Sequence, residues 1–274
     1  MAKYSLIVRQ LITELFAPKA PAIEQKIPVE RHLIEDILRE GRRKNNIHLV
    51  SEFCSDTAQQ YRKDHGISLT SWIAKGLASA VHEDLAIQSS LRGKTRRVIF
   101  QEVDIAVMIE RQLADQSYQP LHYIIRNAGS KNLTQIQAEL SQAKTGEIGN
   151  GGPLTALELA FFKLPSWLRK PVWWWLRYDP YSRKQMLGTV GITSNGMFAK
   201  GAAVILPISP LSLTLSIGGA SQRIVASGEQ FKSSEYIQLN LSADHDVTDG
   251  APLMRFANRL VTHLEQGHRR PIDS

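Results

Sequence analysis

Leu239-Asn240-Leu241-Ser242-Ala243-Asp244-His245-Asp246-Val247-Thr248-Asp249-Gly250 is the stretch whose reading decides the fold of this chain. Its first half alternates apolar and polar residues, as a half-buried strand does. Its second half is a His-x-x-x-Asp-Gly turn stiffened by Asp and Gly. Leu253, Phe256, Leu260 and Leu264 follow at helical spacing, so the turn is expected to feed an amphipathic helix. A histidine presented at a strand end can act as a general base, because a neutral imidazole, with an ordinary pKa of about 6.5, accepts a proton at physiological pH. The residues alone leave a second reading open, in which His245 only caps or packs the turn.

Composition narrows the classes. The chain has 274 residues, 43% hydrophobic and 22% charged, which suits a soluble globular protein with a sizeable core. Its net charge of +7 would suit nucleic acid, a membrane surface or an anionic cofactor. No nucleic-acid-binding module is recognisable, so no nucleic-acid partner is expected. The one cysteine, Cys54, cannot form a disulfide within the chain, and a reducing, cytoplasmic setting is expected. It ends the apolar run Ile47–Cys54 and reads as a small buried hydrophobe rather than a nucleophile. No run is long enough to span a bilayer, and the stretch from Tyr4 to Phe16, broken by Arg9 and Glu14, is no signal peptide. His32, His48, His65, His82, His122, His263 and His268 are scattered without ligand spacing, so no metal site is expected. A Gly-x-Ser-x-Gly elbow is missing, as is a Gly-x-Gly-x-x-Gly after a strand.

Strands alternate with helices along the chain, which predicts an α/β layered fold. An amphipathic helical extension is expected within residues 1–22, ended by Pro18 and Pro21. A further helix spans 30–45 and finishes in Arg42-Arg43-Lys44, read as a solvated helix end, with a phosphate contact as the alternative. A strand over 47–54, a polar helix over 55–65 and a long buried helix over 69–83 follow. Strands are then expected at 98–100, 103–109 and 121–126, and a helix from Leu133 to about Lys144. Residues 188–193 and 202–217 read as strands, Leu211–Ile217 with one buried face, and 222–240 as a hairpin about Ser227-Gly228.

The segment "LSADHDVTDGAPLMRFANRLVTHLEQ" resembles the end of the catalytic domain of 2-oxo acid dehydrogenase acyltransferases and of chloramphenicol acetyltransferase, where His-x-x-x-Asp-Gly precedes a helix with Arg-Phe and Asn-Arg-Leu. Gly188-Thr189-Val190-Gly191-Ile192-Thr193-Ser194-Asn195-Gly196-Met197-Phe198 is similar to that family's strand ending in a hydroxyl residue before its Gly-Met. Weaker similarity lies in Ile67–Ala78 and in Val103-Asp104-Ile105-Ala106-Val107, and the resemblance covers about residues 25–268. It implies a single domain over 1–274: a chloramphenicol acetyltransferase-like two-layer sandwich, a mixed sheet with helices packed on it. It further implies an acyltransferase moving an acyl group from a thioester of coenzyme A, or of dihydrolipoamide, to a thiol or another nucleophile, with His245 as general base, Thr193 donating to the oxyanion, and Asp249 holding the turn through an ion pair. A homotrimer with active sites between subunits is implied as well. Asp246 departs from the family, which mostly has Arg there. No lipoyl attachment site, subunit-binding domain or Ala/Pro-rich linker is recognisable, so a free-standing enzyme is expected.

Thr193 would also be ordinary in any strand, being β-branched. Residues 145–187 form an inserted segment in which Trp173-Trp174-Trp175 and other aromatics interleave with Arg and Lys. Three readings of it stand: packing over the body or between subunits, peripheral membrane contact through 161–184, or a lid over an acyl-chain pocket. For the whole chain, a non-catalytic trimeric scaffold and a membrane-surface, lipid-directed protein stand beside the acyltransferase.

Overall fold

Ser68 begins a central buried helix: its hydroxyl accepts the backbone N–H of Ser71, satisfying a donor that the first helical turn leaves unpaired. This computed structural model describes residues 31–93, 95–112, 118–145, 160–161, 163–194 and 201–267, with single positions at 23, 196 and 199. The expected extension over 1–22, and residues 146–159 and 162 of the insert, lie outside the described residues. The helices are α1 (Arg31–Gly41), α2 (Asp56–His65), α3 (Leu69–Glu83), α4 (Leu133–Thr145), α5 (Ser166–Tyr178), α6 (Pro180–Leu187) and α7 (Gly250–Gln266). The strands are β1 (Asn46–Cys54), β2 (Ser90–Arg92), β3 (Arg96–Val98), β4 (Ile105–Gln112), β5 (Tyr118–Ile125), β6 (Val190–Ser194), β7 (Leu213–Ser227) and β8 (Gln230–Asp244).

Among the described residues, six strands form one mixed sheet in the order β1-β8-β7-β6-β4-β5, and β2 pairs β3 apart from it. β6 runs parallel to both of its neighbours; the other pairs are antiparallel. One face of the sheet presents Ile192, Leu215, Leu241 and their neighbours to α3, α4 and α7. Trp72, Leu77, Ile136, Leu253, Phe256, Leu260 and Leu264 fill the space between sheet and helices. The indole N–H of Trp72 donates to the carbonyl of Leu264 at 3.1 Å and joins α3 to α7. This is the expected two-layer sandwich. Gly228 takes φ 64° at the tip of the β7–β8 hairpin, a conformation that favours glycine.

Four local expectations need correction. Residues 202–212 form no strand, and β7 begins only at Leu213; Pro207 and Pro210 have no N–H to give a ladder. The strand expected at 98–100 is β3, which ends at Val98, and β2 was not foreseen. Thr214 and Ser216, expected on a solvated face, are buried. The preceding loop crosses over that end of the sheet: the Thr214 hydroxyl donates to Ser209 Oγ at 2.7 Å, and Gly218 lies so close under Ala203 and Val204 that a Cβ would collide with them. Cys54 is partly exposed, because Phe53 beside it takes the inward position.

The insert is fastened to α1 by two facing i,i+4 rows. Arg169 donates from Nε to Asp36 Oδ2 at 2.7 Å, and the Trp173 indole N–H donates to the same oxygen at 2.9 Å. Arg177 forks onto Glu40 at 3.1 and 2.9 Å, one turn further on. The Arg169 side chain is only 2% exposed and that of Asp36 fully buried. Trp173 therefore fills a gap in the body, while Trp167, Trp174 and Trp175 face outward, each more than half exposed. Removing one partner of a buried pair strands the other charge, so Asp36→Ala is expected to lower stability by about 3–5 kcal/mol in chemical denaturation. A loss below about 1 kcal/mol, the range of surface pairs, would contradict this account of the docking.

Candidate active site

The turn that carries His245 is wound on Asp244. Asp244 ends β8, and its N–H donates to the carbonyl of Ser212 at 3.0 Å. Its own carbonyl accepts the N–H groups of Val247 and Thr248 at 2.9 and 3.1 Å, and its Oδ1 accepts that of Asp246 at 3.2 Å. Its carboxylate is fully buried and paired with the Lys44 ammonium. Lys44, expected on a solvated helix end, is thus mostly buried and serves this turn. Asn45 adds two more ties: its carbonyl accepts the His245 N–H at 2.8 Å, and its side-chain amide donates to Asp246 Oδ1 at 3.0 Å. These contacts fix the backbone from both sides before the imidazole is considered.

The His245 imidazole projects from this frame, 48% exposed. Its Nδ1 lies 3.4 Å from Asp249 Oδ1, and Asp249 is itself 80% exposed. Asp249 thus meets the imidazole at the surface of this chain, whereas the buried ion pair of the turn is Asp244–Lys44. The carbonyl of Asp249 accepts the Leu253 N–H at 3.1 Å and opens α7. At Gly250 open space surrounds the position a Cβ would take, and its φ is not positive. Nothing in the structure requires glycine there.

Thr193 lies elsewhere. It pairs in register with Ser216 of β7, which pairs with Asn240 of β8, which pairs with Val50 of β1. His245 stands five residues beyond Asn240 along β8 and two strands away from β6, so rise and strand spacing put the two backbones roughly 20 Å apart. No side-chain movement closes that gap within one protomer.

The Thr193 row crosses a polar face of the sheet that sequence reasoning missed. Ser242 Oγ lies 2.8 Å from both His48 Nδ1 and Asn240 Nδ2. Among the described residues, the buried Ser216 Oγ and Asn240 Oδ1 find no hydrogen-bond partner. Alternation along β7 and β8 showed that these side chains share a face; it gave no sign that the face would be covered. Among the described residues no group of three or more His, Cys, Asp or Glu could hold a metal ion, and no helix is long and apolar enough to cross a membrane.

A mixed sheet covered on one face by helices, with a histidine projecting beyond the end of β8, has the chloramphenicol acetyltransferase-like fold. A chloramphenicol acetyltransferase has the same fold, with TM-score 0.50 at 14% identity over 89% of this chain and 100% of its own. Residues 182–269, which carry β6, β8 and the His245 turn, match the family described as 2-oxoacid dehydrogenases acyltransferase (catalytic domain). This is the family that the sequence resembles. A probable dihydrolipoamide acetyltransferase from Listeria monocytogenes has the same fold, with TM-score 0.66 at 17% identity over 93% of this chain and 100% of its own. The dihydrolipoamide acetyltransferase of Azotobacter vinelandii, studied for the roles of a serine, a histidine and an asparagine in its catalytic mechanism, matches with TM-score 0.63 at 18% identity over 90% and 97%. Comparison with curated proteins finds no match.

Proposed function

We propose that the chain is a single-domain thioester acyltransferase over residues 1–274, acting as a homotrimer with its active sites between protomers. The donor is an acyl-coenzyme A and the acceptor a thiol or another nucleophile. The observation that carries this reading is a spacing. The three residues named for the Azotobacter vinelandii enzyme stand 52 and 4 residues apart; Thr193, His245 and Asp249 stand 52 and 4 residues apart here. The geometry of the protomer supports it. A base open to solvent, roughly 20 Å from the hydroxyl it would work with, is half a site, and a closed ring of identical chains supplies the other half.

In this reading the acceptor thiol gives its proton to His245 Nε2, and the thiolate attacks the thioester carbonyl carbon. Thr193 of the partner subunit donates a hydrogen bond to the oxygen that becomes negative. Collapse of the tetrahedral adduct breaks the carbon–sulfur bond to coenzyme A, whose thiolate takes the proton back from the imidazolium. Asp249 beside Nδ1 keeps the ring in the tautomer whose Nε2 can accept. No lipoyl attachment site enters this scheme, and the acceptor is free or carried by another chain.

The outward face of α5 supports peripheral membrane contact through 161–184 as a second element. Trp167, Trp174 and Trp175 are exposed beside Lys170, the arrangement of an interfacial helix. Flotation with anionic vesicles tests it: Trp174→Ala/Trp175→Ala is expected to lose binding, and vesicle binding that survives this change, or is absent from the start, contradicts it.

For the chemistry, a panel of acyl-coenzyme A donors is assayed by release of free thiol. His245→Ala is expected to lower kcat about 10²–10⁴-fold, and Thr193→Val about 10²–10³-fold with KM little changed. Turnover with no donor, or undiminished turnover in His245→Ala, contradicts the proposal.

A further inference from the structure

A cleft of about 260 Å³ opens between α1, α5 and α6, at the foot of the His245 turn. Its floor is apolar, made by the buried side chains of Trp173, Leu176 and Leu187. Its rim carries four cations, Arg43, Lys44, Arg177 and Arg183, against the carboxylates of Glu40 and Asp246. Three of the four cations are already engaged. Glu40 takes the fork of Arg177 and a longer contact from Arg43 at 3.6 Å. Lys44 is held by Asp244, and Asp246 accepts from the Asn45 amide.

Arg183 is different. Among the described residues its guanidinium makes no hydrogen bond or ion pair, although it lines the cleft and is partly buried. Burial holds it below the usual arginine range, opposed at longer reach by Asp244, Asp179 and Glu40. A planar guanidinium has five donors and prefers a carboxylate or phosphate that can take two of them at once. Leaving those donors unmade away from water is unfavourable, and an anionic head group would satisfy them. The apolar floor beside it would cover a hydrocarbon or aromatic body.

We propose that this cleft binds a small molecule with a carboxylate or phosphate monoester head and an apolar body, the head on Arg183 and the body against Trp173 and Leu187. The proposal does not depend on acyl transfer by His245. Lys44 and Asp246 belong to both the cleft and the turn, so occupancy is expected to be felt at the His245 ring.

Calorimetric titration of the full chain tests it with four probes: hexanoate, hexyl phosphate, inorganic phosphate and hexanol. One of the two amphiphiles is expected to bind about tenfold or more tightly than hexanol and inorganic phosphate, and which one does so distinguishes the head group. Arg183→Met, which keeps much of the side chain's length, is expected to weaken that binding about tenfold or more with the melting temperature unchanged. Arg183→Lys keeps the charge and is expected to retain part of the affinity, which covers the case in which the Met variant folds poorly. The ring-proton resonances of His245 are expected to shift on saturation. No heat from either amphiphile, binding of inorganic phosphate equal to that of hexyl phosphate, or full affinity in Arg183→Met overturns the proposal. Loss of acyl transfer in His245→Ala bears on the enzymatic reading alone and leaves this one standing.

Discussion

A buried carboxylate must be met by a cation, and here Asp244 is met by Lys44. That single pair joins the end of β8 to the chain just beyond α1, before β1 begins. The same Asp244 accepts three backbone N–H groups of the turn, so the path of residues 245–248 follows from where its carboxylate and carbonyl sit. Further back, α1 continues the series: Glu40 holds Arg177, and Asp36 holds Arg169 and Trp173. A ladder of acid–base contacts thus runs from the His245 turn along α1 to the inserted helices. Each of its buried rungs is far more costly to break from one side than to build, because a lone partner keeps its desolvation penalty.

The ladder explains why the insert and the turn belong to one structural unit. α5 rests on α1 through residues four apart on both helices, leaving its other side, with Trp167, Trp174 and Trp175, outward. Between the two helices and the turn the packing is incomplete, and among the described residues the Arg183 guanidinium there makes no hydrogen bond or ion pair. The same helix is therefore anchor, wall and exposed face, which is why none of the readings offered for an aromatic, basic segment accounts for all of its residues.

Much of this was legible from residue patterns. The apolar run over 69–83 marked α3; Gly228 marked the β7–β8 hairpin; Leu253, Phe256, Leu260 and Leu264 marked the buried side of α7. These signals are local, decided within one or two turns of chain. What was hidden is non-local. Lys44 and Asp244 lie 200 residues apart, and nothing near either one announces the other. Thr214 and Ser216 look like a solvated face until a loop carrying Pro207 and Pro210 crosses over them. The separation of Thr193 from His245 emerges only when the register of three strands is counted across the sheet. Cys54 turned outward because its neighbour Phe53 took the core position, a competition that strand alternation allows but does not decide.

The central claim is that the imidazole of one protomer works with the hydroxyl of another. Complementation tests it most directly. His245→Ala and Thr193→Val protomers are purified, dissociated, mixed and reassembled, and acyl transfer is measured against each variant reassembled alone. A mixed ring contains a seam with both native residues, so the account predicts that activity returns on mixing while each variant alone stays nearly inactive. A mixture no more active than the average of its two components, with mixed rings shown to be present, would contradict it.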